Sequence, residues 1–128
     1  MDTRWKTLGP VDANHEYVVL LSYLPLRTYS KIPAFFRYTT QIHRQMRNTV
    51  GTIGYSLRAK VLSRRFWTLS VWENGRALMD FVSNRPHGDV IKELRAHMGK
   101  TRFTQWKALG SELPPSWDDA MRRELKES

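Results

Sequence analysis

Apolar residues recur along this chain with two periods, and the places where the period changes mark its elements. Glu16 to Leu24 (EYVVLLSYL) is apolar on both alternating faces, Tyr17/Val19/Leu21/Tyr23 and Val18/Leu20/Leu24, as in a strand covered on both sides. Pro25 ends it. From Lys31 to Asn48 the large or apolar positions are Ile32, Phe35, Phe36, Thr39, Ile42, His43 and Met46. Spacings of three and four predict an amphipathic helix, with Ser30 as N-cap and Pro33 in its first turn. Thr52 to Leu62 alternates again, with Ile53, Tyr55, Leu57, Ala59 and Val61 opposite Ser56, Arg58 and Lys60. Ser63-Arg64-Arg65 turns the chain into Phe66–Glu73 (FWTLSVWE), so these two strands are expected to form a hairpin.

A second helical stripe follows at Ala77, Leu78, Phe81 and Val82. It breaks at Asn84-Arg85-Pro86 and resumes through His87, Val90, Ile91, Leu94 and Met98, ending at Gly99. Thr101 to Leu109 reads as the last strand. Ser116 and Asp119 form a variant capping box opening a C-terminal helix over residues 115–127, with Trp117, Met121 and Leu125 as its stripe. Residues 1–15 show no sustained period and read as an irregular lead-in. With no repeat and no linker, residues 1–128 make one domain. The order is that of the split βαβ, or ferredoxin-like, βαββαβ arrangement: an α+β fold with helices on one face of an antiparallel sheet. Several strands are apolar on both sides, so something must cover the second face. A second subunit would do so, giving a homodimeric α+β barrel with a pocket between the sheets.

Composition narrows the chemistry. The absence of cysteine removes disulfides, thiolate metal sites and cysteine nucleophiles. No run of apolar residues is long enough to span a membrane, and no signal peptide is evident, so the expected location is cytoplasmic, of bacterial type. There is no P-loop, GxGxxG, GxSxG or useful carboxylate pair, which leaves hydrolases and nucleotide-dependent enzymes without support. A formal net charge of +9 raises a nucleic-acid reading, since aromatic βαββαβ sheets can stack bases. However, the third strand lacks the glycine and aromatic spacing of an RNA-recognition motif, and the cations are scattered.

The segments SYLPL (22–26), GYSLRA (54–59), FWTLSVWEN…AL..FV…PH (66–87) and F..W…GS.LPPSW..A (103–120) resemble a bacterial family related to spheroidene monooxygenase. That family sits in the dimeric α+β barrel superfamily with the antibiotic biosynthesis monooxygenases. The resemblance implies a homodimer that binds a small apolar or planar molecule, with cofactor-independent or haem-dependent monooxygenase chemistry. The alternative is a non-catalytic nucleic-acid or protein-binding module using the basic surface, or a non-catalytic scaffold.

Within this frame His87 is the candidate catalytic residue, as acid–base group or haem ligand; the competing reading is a locally satisfied helix-start histidine. Arg58, beside Ser56 on the polar face of its strand, could anchor an anionic group in the pocket, or be a rim or salt-bridge arginine. Phe66, Thr68, Ser70 and Trp72 share a mixed aromatic and hydroxyl face suited to line a ligand site. Trp67, Phe103 and Trp106 are further aromatic candidates for stacking or core. His43 is expected to be a satisfied core histidine away from the pocket, and His15 and His97 to be solvated. No histidine has the spacing of a zinc site, so no metal is expected apart from haem.

Overall fold

The computed structural model describes residues 1–83 and 94–127. Its five strands are β1 (Lys6–Thr7), β2 (Glu16–Pro25), β3 (Thr52–Lys60), β4 (Arg65–Trp72) and β5 (Arg102–Leu109). They form one antiparallel sheet in the order β1-β3-β4-β2-β5. Without the short edge strand this is the ferredoxin-like order. Among the described residues the longer helices are α1 (Ile32–Arg47), α2 (Gly75–Ser83) and α3 (Trp117–Glu127). Residues 94–96 are helical; residues 86–93, where the sequence predicts the earlier part of a resumed helix, lie outside the described residues.

Local chemistry sets most boundaries. Asn74 accepts the Ala77 amide through Oδ1 at 2.8 Å and caps α2. Ser116 accepts the Asp119 amide at 3.1 Å and caps α3, as its sequence predicts. At α1 the cap is Lys31, and Ser30 sits in the preceding 3-10 turn, donating to the Thr28 hydroxyl instead. Strand β3 ends two residues early: Val61–Ser63 is a 3-10 turn, and Arg64 takes the left-handed conformation (φ 57°) that swings the chain into β4.

The lead-in is ordered by pairing, which its sequence did not reveal. Lys6 and Thr7 pair with Tyr55 and Gly54, Asp2 bridges to Arg58, and the Met1 ammonium donates to the Ala59 carbonyl at 2.9 Å. Gly54 permits this crossing, since a Cβ there would stand 2.6 Å from Trp5 Cζ2.

Both sheet faces are covered from within the chain. On one face α1 and α2 pack through two clusters: Phe35, Ala59, Phe66 and Leu94 at one end, and Ile42, Met46, Tyr55, Trp72 and Phe81 at the other. On the opposite face α3, through Trp117, Ala120 and Met121, packs on Tyr17, Val19, Leu21, Ile53, Trp67, Leu69 and Val71, with Trp5 alongside. The expectation of helices on one face only is therefore corrected. The second apolar face, which called for a partner subunit, is taken by the C-terminal helix.

Candidate functional site

The cavity arises where the first face runs out of large side chains. Along β4, Phe66 belongs to one apolar cluster and Trp72 to the other, with Thr68 and Ser70 between them. On the neighbouring β2, Leu24 and Leu20 flank Ser22, which pairs with Thr68. Three hydroxyl residues thus replace three large apolar ones at mid-sheet, and the helices cannot collapse onto the gap. The result is a cavity of about 650 Å³, floored by Ser22, Thr68, Ser70, Phe103 and Gln105 and roofed by Tyr38, Ile42, Met46, Leu78, Phe81 and Val82. Its size falls within the roughly 300–1,000 Å³ common for small-molecule sites, and a mainly apolar lining with few polar groups is their usual composition.

Trp72 forms one wall and is fully buried, tilted against Phe81 at 4.8 Å between ring centroids. Its indole N–H donates to Ser70 Oγ at 2.9 Å, which fixes the ring's orientation. Thr68, Ser70 and Trp72 therefore share one face, as their alternation predicts, but the cavity they line lies under the helices and not between two sheets as expected. Phe66 shares their face but does not reach the cavity; it is packed against Phe35 at 4.4 Å and Phe36 at 5.8 Å.

Ser56 and Arg58 are not at this site. Strand register pairs Leu57 with Thr68 and Arg58 with Trp67, so the polar positions of β3 and the hydroxyl positions of β4 face opposite sides of the sheet. Ser56 Oγ donates to the Thr3 carbonyl at 2.8 Å and accepts from the Trp117 indole at 3.3 Å. Arg58 makes a bidentate pair with Asp2, at 2.8 and 2.9 Å, and lies over the Trp117 ring. That pairing holds the Asp2 carboxyl below its usual range and raises the guanidinium. Arg58 thus clamps the lead-in and does not line this cavity. Trp67 and Trp106 also lie on the α3 side, whereas Phe103 faces the cavity and is 60% exposed at its edge.

His43 is on the stripe its sequence predicts, but in a state the sequence did not show. It lines the cavity from α1 and stacks on Tyr55 at 4.1 Å, and its Nε2 is buried with no hydrogen-bond partner. Burial above all, then the charges of Arg47 and Lys6, lowers its pKa to about 4, so the ring is uncharged at neutral pH. His43 is thus in the core as expected but not satisfied there, and it borders a cavity on the helix side of the sheet and not the expected pocket between sheets. Its i, i±4 neighbours Thr39 and Arg47 show why it could be assigned to the buried stripe but not to an orphaned state: only tertiary contacts decide the latter.

His87 lies outside the described residues. Among the described lining residues the one imidazole is His43, and its Nε2 is buried. The described residues also hold no cluster of His, Asp or Glu suited to a metal ion. His15, though exposed, bonds the Glu73 carbonyl at 2.8 Å.

No protein-family model and no curated protein matches the chain. Solved structures do. A protein from Shewanella oneidensis, SO0527, shares 14% identity over 82% of this chain and 97% of its own, with a TM-score of 0.58. A mutant of SnoaB from Streptomyces nogalater, a cofactor-independent oxygenase, shares 14% over 78% of this chain and 98% of its own, at 0.55. An antibiotic biosynthesis monooxygenase shares 12% over 72% of this chain and 98% of its own, at 0.62. With its sheet order, helix placement and these likenesses together, the chain has the fold of the antibiotic biosynthesis monooxygenase-like proteins.

Proposed function

We propose that this protein binds a small, largely apolar, planar molecule in the cavity under α1 and α2 and acts on it as a monooxygenase-like enzyme. The observation that carries the reading is the floor of the cavity: Ser22, Thr68 and Ser70 interrupt an otherwise apolar face beside Trp72 and leave about 650 Å³ unfilled. A flat ring would slide between the apolar roof and this floor, its oxygenated edge meeting the hydroxyls. The fold shared with a cofactor-independent oxygenase supports the reaction class. Without an external reductant, the balance closes when an activated methylene becomes a carbonyl. Dioxygen gives one oxygen atom to the carbon, and the other leaves as water with the two hydrogens. The described residues offer no strong base for that step. His43, held at about 4, is too weak a base at neutral pH to match the pKa near 7 that efficient proton transfer favours, so its contribution is an uncharged wall.

The homodimer of the sequence reading belongs to this proposal on a narrower observation. Strand β5 is a sheet edge with unpaired backbone groups, and Phe103 at 60% and Leu109 at 44% exposed lie along it. A second copy against that edge would close the open side of the cavity.

The test is dioxygen uptake, followed with an oxygen electrode on a panel of hydroxylated bicyclic and tricyclic aromatics, beside the variant Thr68→Phe that fills the floor. Uptake by the wild-type chain that is lost in Thr68→Phe supports the reading. Ligand binding with no uptake across the panel removes the oxygenase half of it.

A further inference from the structure

Acidic residues are missing from a long stretch of this chain. Between Glu16 and Glu73 the sequence holds nine Lys and Arg and not one Asp or Glu. The fold gathers part of this charge at one end of the sheet, where the β3–β4 hairpin turns. The tip of that hairpin is apolar and uncovered: Leu62 is 89% exposed and Val61 40%. Tyr29, itself half exposed, stands beside the tip, its hydroxyl donating to the Leu62 carbonyl.

Four cations form a collar behind the tip. Arg64 lies over the Tyr29 ring at 4.6 Å, and Lys60 and Arg65 lie over Trp67 at 5.6 and 5.3 Å. Arg102, from β5, lies over Tyr23 at 4.9 Å. Aromatic rings orient these charges without neutralising them. None of the four makes an ion pair with a described carboxylate; Glu124, the acid packed against Trp67, is buried and accepts the indole N–H at 3.0 Å. An exposed aliphatic point ringed by cations that have no described carboxylate partner is complementary to a surface with anionic groups outside an apolar layer.

We propose that this hairpin end docks the protein on an anionic phospholipid surface, Val61 and Leu62 entering the headgroup boundary while Lys60, Arg64, Arg65 and Arg102 meet lipid phosphates. A nucleic acid supplies phosphates but no apolar phase for Leu62. The large indole here, Trp67, is fully buried and offers no face to a base. The contact is peripheral, since no described helix is long and apolar enough to cross a membrane. The same end of the sheet carries one end of the cavity. Leu26 donates to the Arg64 carbonyl at 2.8 Å and Gly99 to that of Pro25 at 3.0 Å, and Leu24, Met98 and Gly99 line the cavity. Docking would thus set the cavity beside an apolar reservoir, although the docking itself does not depend on what the cavity binds.

The experiment is flotation of the full chain with vesicles of pure phosphatidylcholine and of equimolar phosphatidylcholine and phosphatidylglycerol. Binding is expected to the anionic vesicles only, and to weaken steeply between ~0.1 and ~0.5 M salt. Leu62→Asp should lower the bound fraction by about tenfold, and Arg65→Glu with Arg102→Glu by at least as much. Val50→Asp should leave it unchanged. Val50 is 92% exposed at the opposite end of the sheet, so it controls for exposed apolar surface in general. Far-ultraviolet circular dichroism of each variant reports that the fold is retained. No binding to anionic vesicles, or binding that Leu62→Asp leaves intact, overturns the proposal. So does tighter binding to a single-stranded oligonucleotide that is lost in the arginine variant and kept in Leu62→Asp, an outcome that assigns the collar to nucleic acid.

Discussion

On the α3 face of the sheet the large polar side chains find partners inside the protein. Trp67 donates to Glu124, Trp117 to Ser56, and Arg58 to Asp2, and the face is filled by Tyr17, Leu21, Leu69 and Ala120. On the α1/α2 face a hydroxyl strip faces an unfilled volume, and the Nε2 of His43 is buried with nothing to bond. Both faces come from the same alternating strands and both bury tryptophan. What separates them is completeness: one face is finished by its own chain, and the other is left short of atoms. A structural face satisfies its polar groups, whereas a binding face keeps some capacity in reserve for a ligand.

The largest effect is expected on the finished face. Trp67→Ala should lower stability by about 3–5 kcal/mol, measured by urea denaturation, because a fully buried indole leaves both a cavity and an unpaired Glu124. The matching change on the other face, Thr68→Ala, should cost well under half of that. Equal losses would erase the contrast between the faces. Glu124→Ala isolates the polar share and should cost about 1–3 kcal/mol, since the Trp67 N–H is then buried without an acceptor. Glu124→Gln, which keeps the acceptor, should recover most of it.

His43 sharpens the comparison through pH. Its pKa falls from 6.5 to about 4 on folding, so between those values the unfolded chain binds the extra proton and stability drops as pH falls. Thermal melts from pH 7 to pH 5 should show this slope, and His43→Phe should flatten it. An unchanged slope would mean the imidazole is solvated in the folded state. The smallest effect is expected at Asp2→Asn, about 0–1 kcal/mol, because the Arg58 pair lies at the surface where water screens it. Any stability it adds is present at neutral pH and lost only as pH falls through the lowered carboxyl value, below 3.8.

The order of strands and helices was legible because it rests on local periodicity, and α1, β2 and β4 fall within a residue or two of their predicted bounds. The face assignments at Thr68, Ser70 and Trp72 followed from the same alternation. Arg58 and Ser56 were misplaced because alternation gives the two sides of each strand but not which sides of neighbouring strands coincide; only the register of Leu57 with Thr68 settles that. The lead-in was invisible for a related reason. A two-residue strand has no period, and Trp5 finds its place through Gly54, far away in sequence. The role of α3 could be read as a helix from Trp117, Met121 and its capping serine, but not as the cover for a sheet face. His43 was assigned to the correct stripe and the wrong state, because a missing hydrogen bond is a property of the packed structure.

The central claim, that the unfilled face is a ligand site, is tested most directly by isothermal titration calorimetry with 2-naphthol, a planar aromatic bearing one hydroxyl. The account predicts saturable one-to-one binding to the wild-type chain that is lost in Thr68→Phe and retained in Asp2→Asn. Binding of equal strength in Thr68→Phe, or no heat from the wild-type chain at any concentration, would contradict it.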